Sequence, residues 1–143
     1  MSYFKDKKVV VTGGAGFLAT HFITELHRLG ADITTNTYKN PLQVNDVVKN
    51  DIKVIENLDL NKLEDSLLLT KGAELVIHTA GHVLHPSSVR TDIQGSLGNI
   101  TLLGNVLDAC AKNEVDSFFD LNSSIILAHV VTGISLNFQR DEG

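Results

Sequence analysis

Residues 8–19, Lys-Val-Val-Val-Thr-Gly-Gly-Ala-Gly-Phe-Leu-Ala, set an apolar run before a glycine-rich turn and an amphipathic pattern after it. This order of residue types suits the binding of a pyrophosphate. Gly13 permits a tight turn that a side chain would obstruct, and Gly16 lets the backbone approach a ligand. Ala19 is small enough for a helix to pack on the strand. The free N–H groups at the helix start, with the positive end of its dipole, would face the phosphates. The spacing is Gly-x-x-Gly-x-x-Ala, not the Gly-x-Gly-x-x-Gly of ordinary dehydrogenases. The competing reading is a plain strand–turn–helix connection that binds nothing.

Other reactive residue types carry less. His78, His82 and His85 are close in sequence, but they span a strand end and a loop containing Pro86, so no metal site is expected. Cys110 falls on the apolar stripe of a helix, where core packing is the expectation rather than a reactive thiol.

The elements that must position the turn follow from hydrophobic periodicity. Strands are expected at 8–12, 32–35, 52–56, 74–78 and 117–121, and helices at 17–29, 61–70 and 99–112. Phe17, Leu18, Phe22, Leu26 and Leu29 form the first helix's apolar stripe, and Ile100, Leu103, Leu107 and Cys110 that of the last. A polar connection fills 36–50 and a long loop runs from Thr79 to about Gly98. Such alternation implies an α/β fold, a doubly wound parallel sheet with helices on both faces and ligands at the carboxyl ends of the strands.

The 143 residues suffice for one domain with a real core, and 43% hydrophobic with 20% charged residues is an ordinary globular balance. A net charge of −5 argues against a nucleic-acid partner. One cysteine excludes an internal disulfide and fits a reducing, cytoplasmic setting. Met-Ser-Tyr-Phe-Lys-Asp-Lys-Lys carries no apolar signal, and the longest apolar stretch, Ile125–Ile134, is interrupted by His129 and too short to cross a bilayer. No membrane role is expected.

Five segments together resemble the extended short-chain dehydrogenase/reductase family of NAD-dependent epimerases and dehydratases. They are Thr12-Gly-Gly-Ala-Gly-Phe-Leu18, Asn57-Leu-Asp-Leu60, Val76-Ile-His-Thr-Ala-Gly81, Asn99 with Asn105-Val-Leu-Asp-Ala109, and Asn122-Ser-Ser124. They occur in the family's order and cover about residues 7–124. The nearest branch is that of nucleotide-sugar epimerases and GDP-fucose-synthase-like reductases, with the 3β-hydroxysteroid dehydrogenases close by.

The resemblance implies a Rossmann domain over 1–124 that binds NADP or NAD. Gly13, Gly16, Phe17 and Leu18 would contact the pyrophosphate, and Asp59 and Leu60 would lie along the adenine. Thr79, Ala80 and Gly81 would line the nicotinamide-side ribose. Asn99 would sit near the centre of the sheet at the start of its helix. Ser124, or Ser123 beside it, would position the substrate hydroxyl; the bland alternative is that both serines cap or solvate the strand end.

Two departures stand out. The family often has an acid at the end of the second strand, where this chain has Thr37, followed by Tyr38 and Lys39. Loss of that carboxylate removes repulsion against a 2′-phosphate, and Lys39 could pair with one, so NADP is slightly favoured; otherwise Lys39 is a solvated loop charge. The family's Tyr-x-x-x-Lys pair is not seen after the serine, where the resemblance implies it: the two tyrosines, Tyr3 and Tyr38, both precede Ser124, and although Tyr3 has Lys7 four residues on, that spacing falls before the first strand. No C-terminal substrate domain is expected either, and 125–143 is expected to be an atypical tail that packs on a sheet edge. Such an edge invites self-association into a homo-oligomer. Asp120 is odd for a buried central strand.

The expectation is therefore a truncated Rossmann-like chain, the NAD(P)-binding part of a nucleotide-sugar epimerase, dehydratase or reductase-like oxidoreductase, inactive by itself. The alternatives are a non-catalytic dinucleotide-binding module and a fragment of a 3β-hydroxysteroid-dehydrogenase-like enzyme.

Overall fold

The structure is a computed structural model that describes residues 2–81 and 93–121. Its elements are β1 (Lys8–Thr12), α1 (Phe17–Arg28), β2 (Asp32–Asn36), α2 (Asp46–Asp51), β3 (Lys53–Ile55), α3 (Leu63–Thr70), β4 (Leu75–His78), α4 (Ile93–Lys112) and β5 (Ser117–Asp120). All strand pairings are parallel, in the order β3-β2-β1-β4-β5. The chain moves outward from β1 to β3, then crosses to the other side of β1 for β4. The crevice between the ends of β1 and β4 is thus the point where strand order reverses, the place where such sheets bind ligands.

Residue chemistry explains the layering. Val9, Val10 and Val11 are at most 3% exposed, as expected of a β-branched run in a central strand covered on both faces. Val9 and Val11 join Ala19, Ile23 and Leu26 of α1 in one core. Val10 faces the opposite side, with Leu69 of α3, Val76 of β4, and Leu102 and Val106 of α4. Ala19 is fully buried, so the helix packs closely on the sheet at the position where the sequence demands a small residue. Gly30, at φ 83°, ends α1 in a left-handed turn, with its N–H bonded to the His27 carbonyl and that of Ala31 to the Leu26 carbonyl.

Several expectations need correction. The 36–50 connection contains a helix, α2, whose N-cap Asn45 accepts a hydrogen bond from the Val48 N–H at 3.0 Å. It is anchored through Leu42, Val44 and Val48, which enter the α1-side core. The helix expected at 99–112 begins at Ile93. Its apolar stripe is rotated: Ile100 and Leu107 are exposed, while Asn99, Leu102, Val106, Ala109 and Cys110 are buried. On α1, Phe17 and Leu18 are exposed and Ala19 and Ile23 are the buried contacts. Asp120 causes no burial problem, because β5 is an edge among the described strands and Asp120 is exposed.

The 125–143 tail, its packing, Ser123, Ser124, His82 and His85 lie outside the described residues. Among the described residues no helix is long and apolar enough to cross a membrane, and no His, Cys, Asp and Glu side chains group as metal ligands.

Candidate functional site

The glycine turn leaves β1 at its carboxyl end. Gly13 lies at φ 70°, a conformation that favours glycine, and a Cβ there would stand 2.8 Å from the Ala80 Cα. Two requirements thus converge on one residue: a left-handed backbone and close approach of the β4 end. Gly16 is the N-cap of α1, has no side chain to cap it, and donates its own N–H to the Gly13 carbonyl at 2.9 Å. No acid stands in the first turn of α1. The N–H groups of that turn are left without a side-chain cap, a ready site for an anion.

The ends of β1 and β4 are joined by a buried polar cluster. The Thr12 hydroxyl oxygen accepts the N–H groups of Thr79 and Ala80, each at 3.1 Å. Its own proton therefore goes to Nδ1 of His78, 2.8 Å away. The Thr79 hydroxyl donates to the Thr12 carbonyl at 2.5 Å. His78 is fully buried and stacked on Phe118, with ring centroids 6.0 Å apart. With Nδ1 accepting, the ring proton sits on Nε2, which is buried without a hydrogen-bond partner among the described residues. Burial pushes the His78 pKa down to about 4, against a smaller upward pull from Asp120 on β5. His78 is thus a neutral structural ring, not a proton shuttle near pH 7.

Above this cluster opens a cleft of about 440 Å³. One wall is the turn, with Gly13, Ala15 and Gly16. A second is the end of β2 with the stretch after it, Asn36 to Asn40, and a third is Leu58 to Asn61 after β3. Thr79, Ala80 and Gly81 close the β4 side, with Leu102 of α4. Leu58, Leu60 and Leu102 are buried and give the cleft an apolar side suited to a flat ring. Asp59 is half-buried; its Oδ1 accepts from the Asn61 N–H and side-chain amide at 3.0 and 3.1 Å, and its N–H donates to Asp65. Leu60 is held by its carbonyl, which accepts from the Asn105 side chain on α4. Tyr38 and Lys39 are exposed, with the Lys39 ammonium 5.3 Å from the Tyr38 ring centre.

Of the residues singled out from sequence, Gly13, Gly16, Thr37, Lys39, Asp59, Leu60, Thr79, Ala80 and Gly81 line this one cleft. Phe17 and Leu18 stand at the start of α1 with exposed side chains outside the lining, so only their backbone belongs to the anion-facing turn. Asn99 is buried within α4, two turns after its start, rather than at the start. Asn36, Leu58 and Leu102 also line the cleft and were not anticipated. A polar residue such as Asn36 at the buried end of a strand is itself a signal of a hydrogen-bonding role.

The donors fit a dinucleotide. An uncapped helix start meets a phosphate, apolar walls meet a base, and polar strand ends meet sugar hydroxyls. Cys110 is separate from this region; it is buried on α4, and burial raises its pKa to about 11.

Known proteins share this fold. The profile of the NAD dependent epimerase/dehydratase family matches residues 9–136. A Methanocaldococcus jannaschii protein assigned as a UDP-glucose 4-epimerase is 29% identical over 76% of this chain and 35% of its own length. Tetraketide alpha-pyrone reductase 2 of Arabidopsis thaliana is 32% identical over 73% of this chain and 35% of its own. The chain therefore spans about 35% of the length of these curated relatives. Among solved structures, the UDP-glucose 4-epimerase of Bifidobacterium longum in complex with NAD+ and UDP matches with a TM-score of 0.70 at 25% identity, over 82% of this chain and 37% of that one. The UDP-N-acetylglucosamine 4-epimerase of Methanobrevibacter ruminantium in complex with UDP-N-acetylmuramic acid gives 0.67 at 26%, over 80% and 37%. With a Rossmann-like sheet, a glycine turn at its switch point and a profile match over most of its length, the chain belongs to the NAD dependent epimerase/dehydratase family.

Proposed function

We propose that this chain binds a nicotinamide dinucleotide in the cleft at the ends of β1 and β4, and forms the cofactor-binding part of a nucleotide-sugar epimerase, dehydratase or reductase-like oxidoreductase. The observation that carries this reading is the meeting of two family segments, Gly13–Gly16 and Thr79–Gly81, across one cleft. In it the first turn of α1, with Gly13 and Gly16 beside it, holds the pyrophosphate. Asp59 and Leu60 hold the adenine, and Thr79 to Gly81 the nicotinamide-side ribose. Asn99 is a supporting residue beneath the site. The domain reads as 1–124, with 125–143 a separate segment, and a cytoplasmic setting fits the single cysteine.

NADP is the favoured cofactor. Thr37 places no carboxylate in the wall where one would repel a 2′-phosphate, and Lys39 is an exposed cation at the same rim. The nucleotide-sugar assignment draws on relatives that are UDP-sugar epimerases by name. The reductase among the curated relatives keeps the reaction class wider than 4-epimerisation.

When bound, the nicotinamide would exchange a hydride with a substrate carbon. In this chain Ser124, with Ser123 second, is the hydroxyl proposed to hold the substrate oxygen; the Tyr3-x-x-x-Lys7 spacing falls before β1 in the sequence, not after that serine as in the family pattern. His78 is buried, and that burial pushes its pKa down to about 4, so it is a poor substitute base. We infer that these residues by themselves bind cofactor without turnover, because none of the described residues is placed to give the general acid–base help worth roughly 10²–10⁴ in rate. Calorimetric titration with NADP+ and NAD+, followed by an absorbance assay with a panel of nucleotide sugars, tests both halves. Binding without turnover is expected. Turnover that vanishes in a Ser124→Ala variant would overturn the inactive reading, and no heat at millimolar cofactor would overturn the binding reading.

A further inference from the structure

We propose that Asn36 is a positioning residue for the phosphate-binding turn, and that its lack of charge is a requirement of the site. This rests on the reading above that the cleft takes a dinucleotide.

Asn36 ends β2, is 3% exposed and forms part of the cleft wall. Its side-chain Oδ1 accepts the Gly13 N–H at 2.9 Å, and its backbone carbonyl accepts the Gly14 N–H at 2.8 Å. One residue, 23 positions away in sequence, thus fixes two consecutive amides of the turn. Gly13 has left the β1 ladder and sits at φ 70°, so without Oδ1 its N–H would lose its partner where little else is offered. Gly14 is pressed on the same strand: a Cβ there would collide with the Thr35 side chain. The amides of Gly13 and Gly14 are therefore committed to β2, and the anion is left to the first turn of α1.

The choice of an amide is informative. An aspartate has nearly the same shape and would accept the Gly13 N–H more strongly. It would also add a negative charge to the wall of a cleft meant for a pyrophosphate, where like charges repel. Asparagine supplies the acceptor without the charge. Holding the turn and admitting the phosphates are thus separable demands, and substitutions can separate them.

The experiment uses the whole chain and two variants. Amide hydrogen exchange at Gly13 and Gly14 is followed by NMR without ligand, and affinities for NADP+, NAD+ and adenosine by titration. In Asn36→Leu, Gly13 exchange should rise about tenfold or more, with Gly14 unchanged and dinucleotide affinity down about tenfold. In Asn36→Asp, Gly13 should stay protected and adenosine affinity hold. Affinity for both dinucleotides should still fall about tenfold, and less at high salt. A Gly13 amide that stays protected in Asn36→Leu would overturn the positioning role. An Asn36→Asp chain that binds dinucleotide as tightly as the original would overturn the charge requirement. If the unaltered chain binds neither dinucleotide, it is the reading of the cleft that fails. Gly13 exchange in Asn36→Leu, measured without ligand, then still decides whether Asn36 holds the turn.

Discussion

The Thr12 hydroxyl stands 2.8 Å from Nδ1 of the buried His78 and accepts two N–H groups from the backbone that follows it. A single hydroxyl on β1 therefore fixes both the tautomer of His78 and the path of the chain from β4 into the cleft. The site's β4 wall is thus positioned by the Thr12 hydroxyl, whose own proton is taken by the His78 ring.

A pH dependence follows. Unfolded, His78 takes up its proton near 6.5; folded, burial delays this to about 4. Between these values the unfolded chain binds more protons, so stability falls as pH drops through the window. The loss from this group is on the order of 3 kcal/mol when complete. Urea unfolding between pH 7.5 and 4 should show it, and His78→Gln, which keeps an acceptor for Thr12, should flatten the slope. An unchanged slope in the variant would assign the effect elsewhere.

Gly13→Ala should be costly in a way that Gly72→Ala is not. Both glycines have positive φ, at 70° and 75°. A Cβ on Gly13 meets the Ala80 backbone at 2.8 Å, whereas one on Gly72 meets nothing within 4 Å. The strained backbone alone costs roughly 1–2 kcal/mol, and overpacking adds about 1–3 more at Gly13. Chemical denaturation of both variants reads the difference directly. Equal losses would mean that the approach of Ala80 is easily relieved.

Much of this architecture was legible in the sequence, because the strongest signals are local. Val9 to Val11 before Gly13 mark β1 and the turn, and the apolar stripe that ends at Leu29 marks α1. What escaped was set by tertiary context. α2 is six residues long and starts at Asn45 within a polar stretch, so its periodicity was too short to register. The stripe on α4 was misplaced because leucines occur on several of its faces, and Leu102 and Val106 were chosen by contact with α3 and β4. Asn36 escaped because its partner is a backbone N–H 23 residues away, and side-chain identity alone does not show that.

Cofactor preference should move with one residue. Thr37→Asp places a carboxylate in the cleft wall, so binding should shift from NADP+ toward NAD+ by about tenfold or more. Parallel titrations of both cofactors measure the ratio. An original chain that already binds NAD+ more tightly would remove the argument from Thr37 and Lys39.

Cys110 should be inert in the native state. Burial raises its pKa to about 11, so almost no thiolate exists at neutral pH. An alkylating reagent at pH 7.5 should label it only after denaturant is added, as read by mass spectrometry. Rapid labelling without denaturant would show that α4 opens far more readily than its packing implies.

The central claim is that the cleft between the glycine turn and the β4 end holds a nicotinamide dinucleotide, and a residue-resolved titration tests it most directly. With NADP+ added to isotopically labelled protein, the amide signals of Gly16, Phe17, Leu18, Thr37, Asp59 and Ala80 should shift together along one saturating curve, while those of α2 stay still. A chain whose cleft amides do not move at millimolar cofactor, or whose shifts fall elsewhere on the molecule, would contradict it.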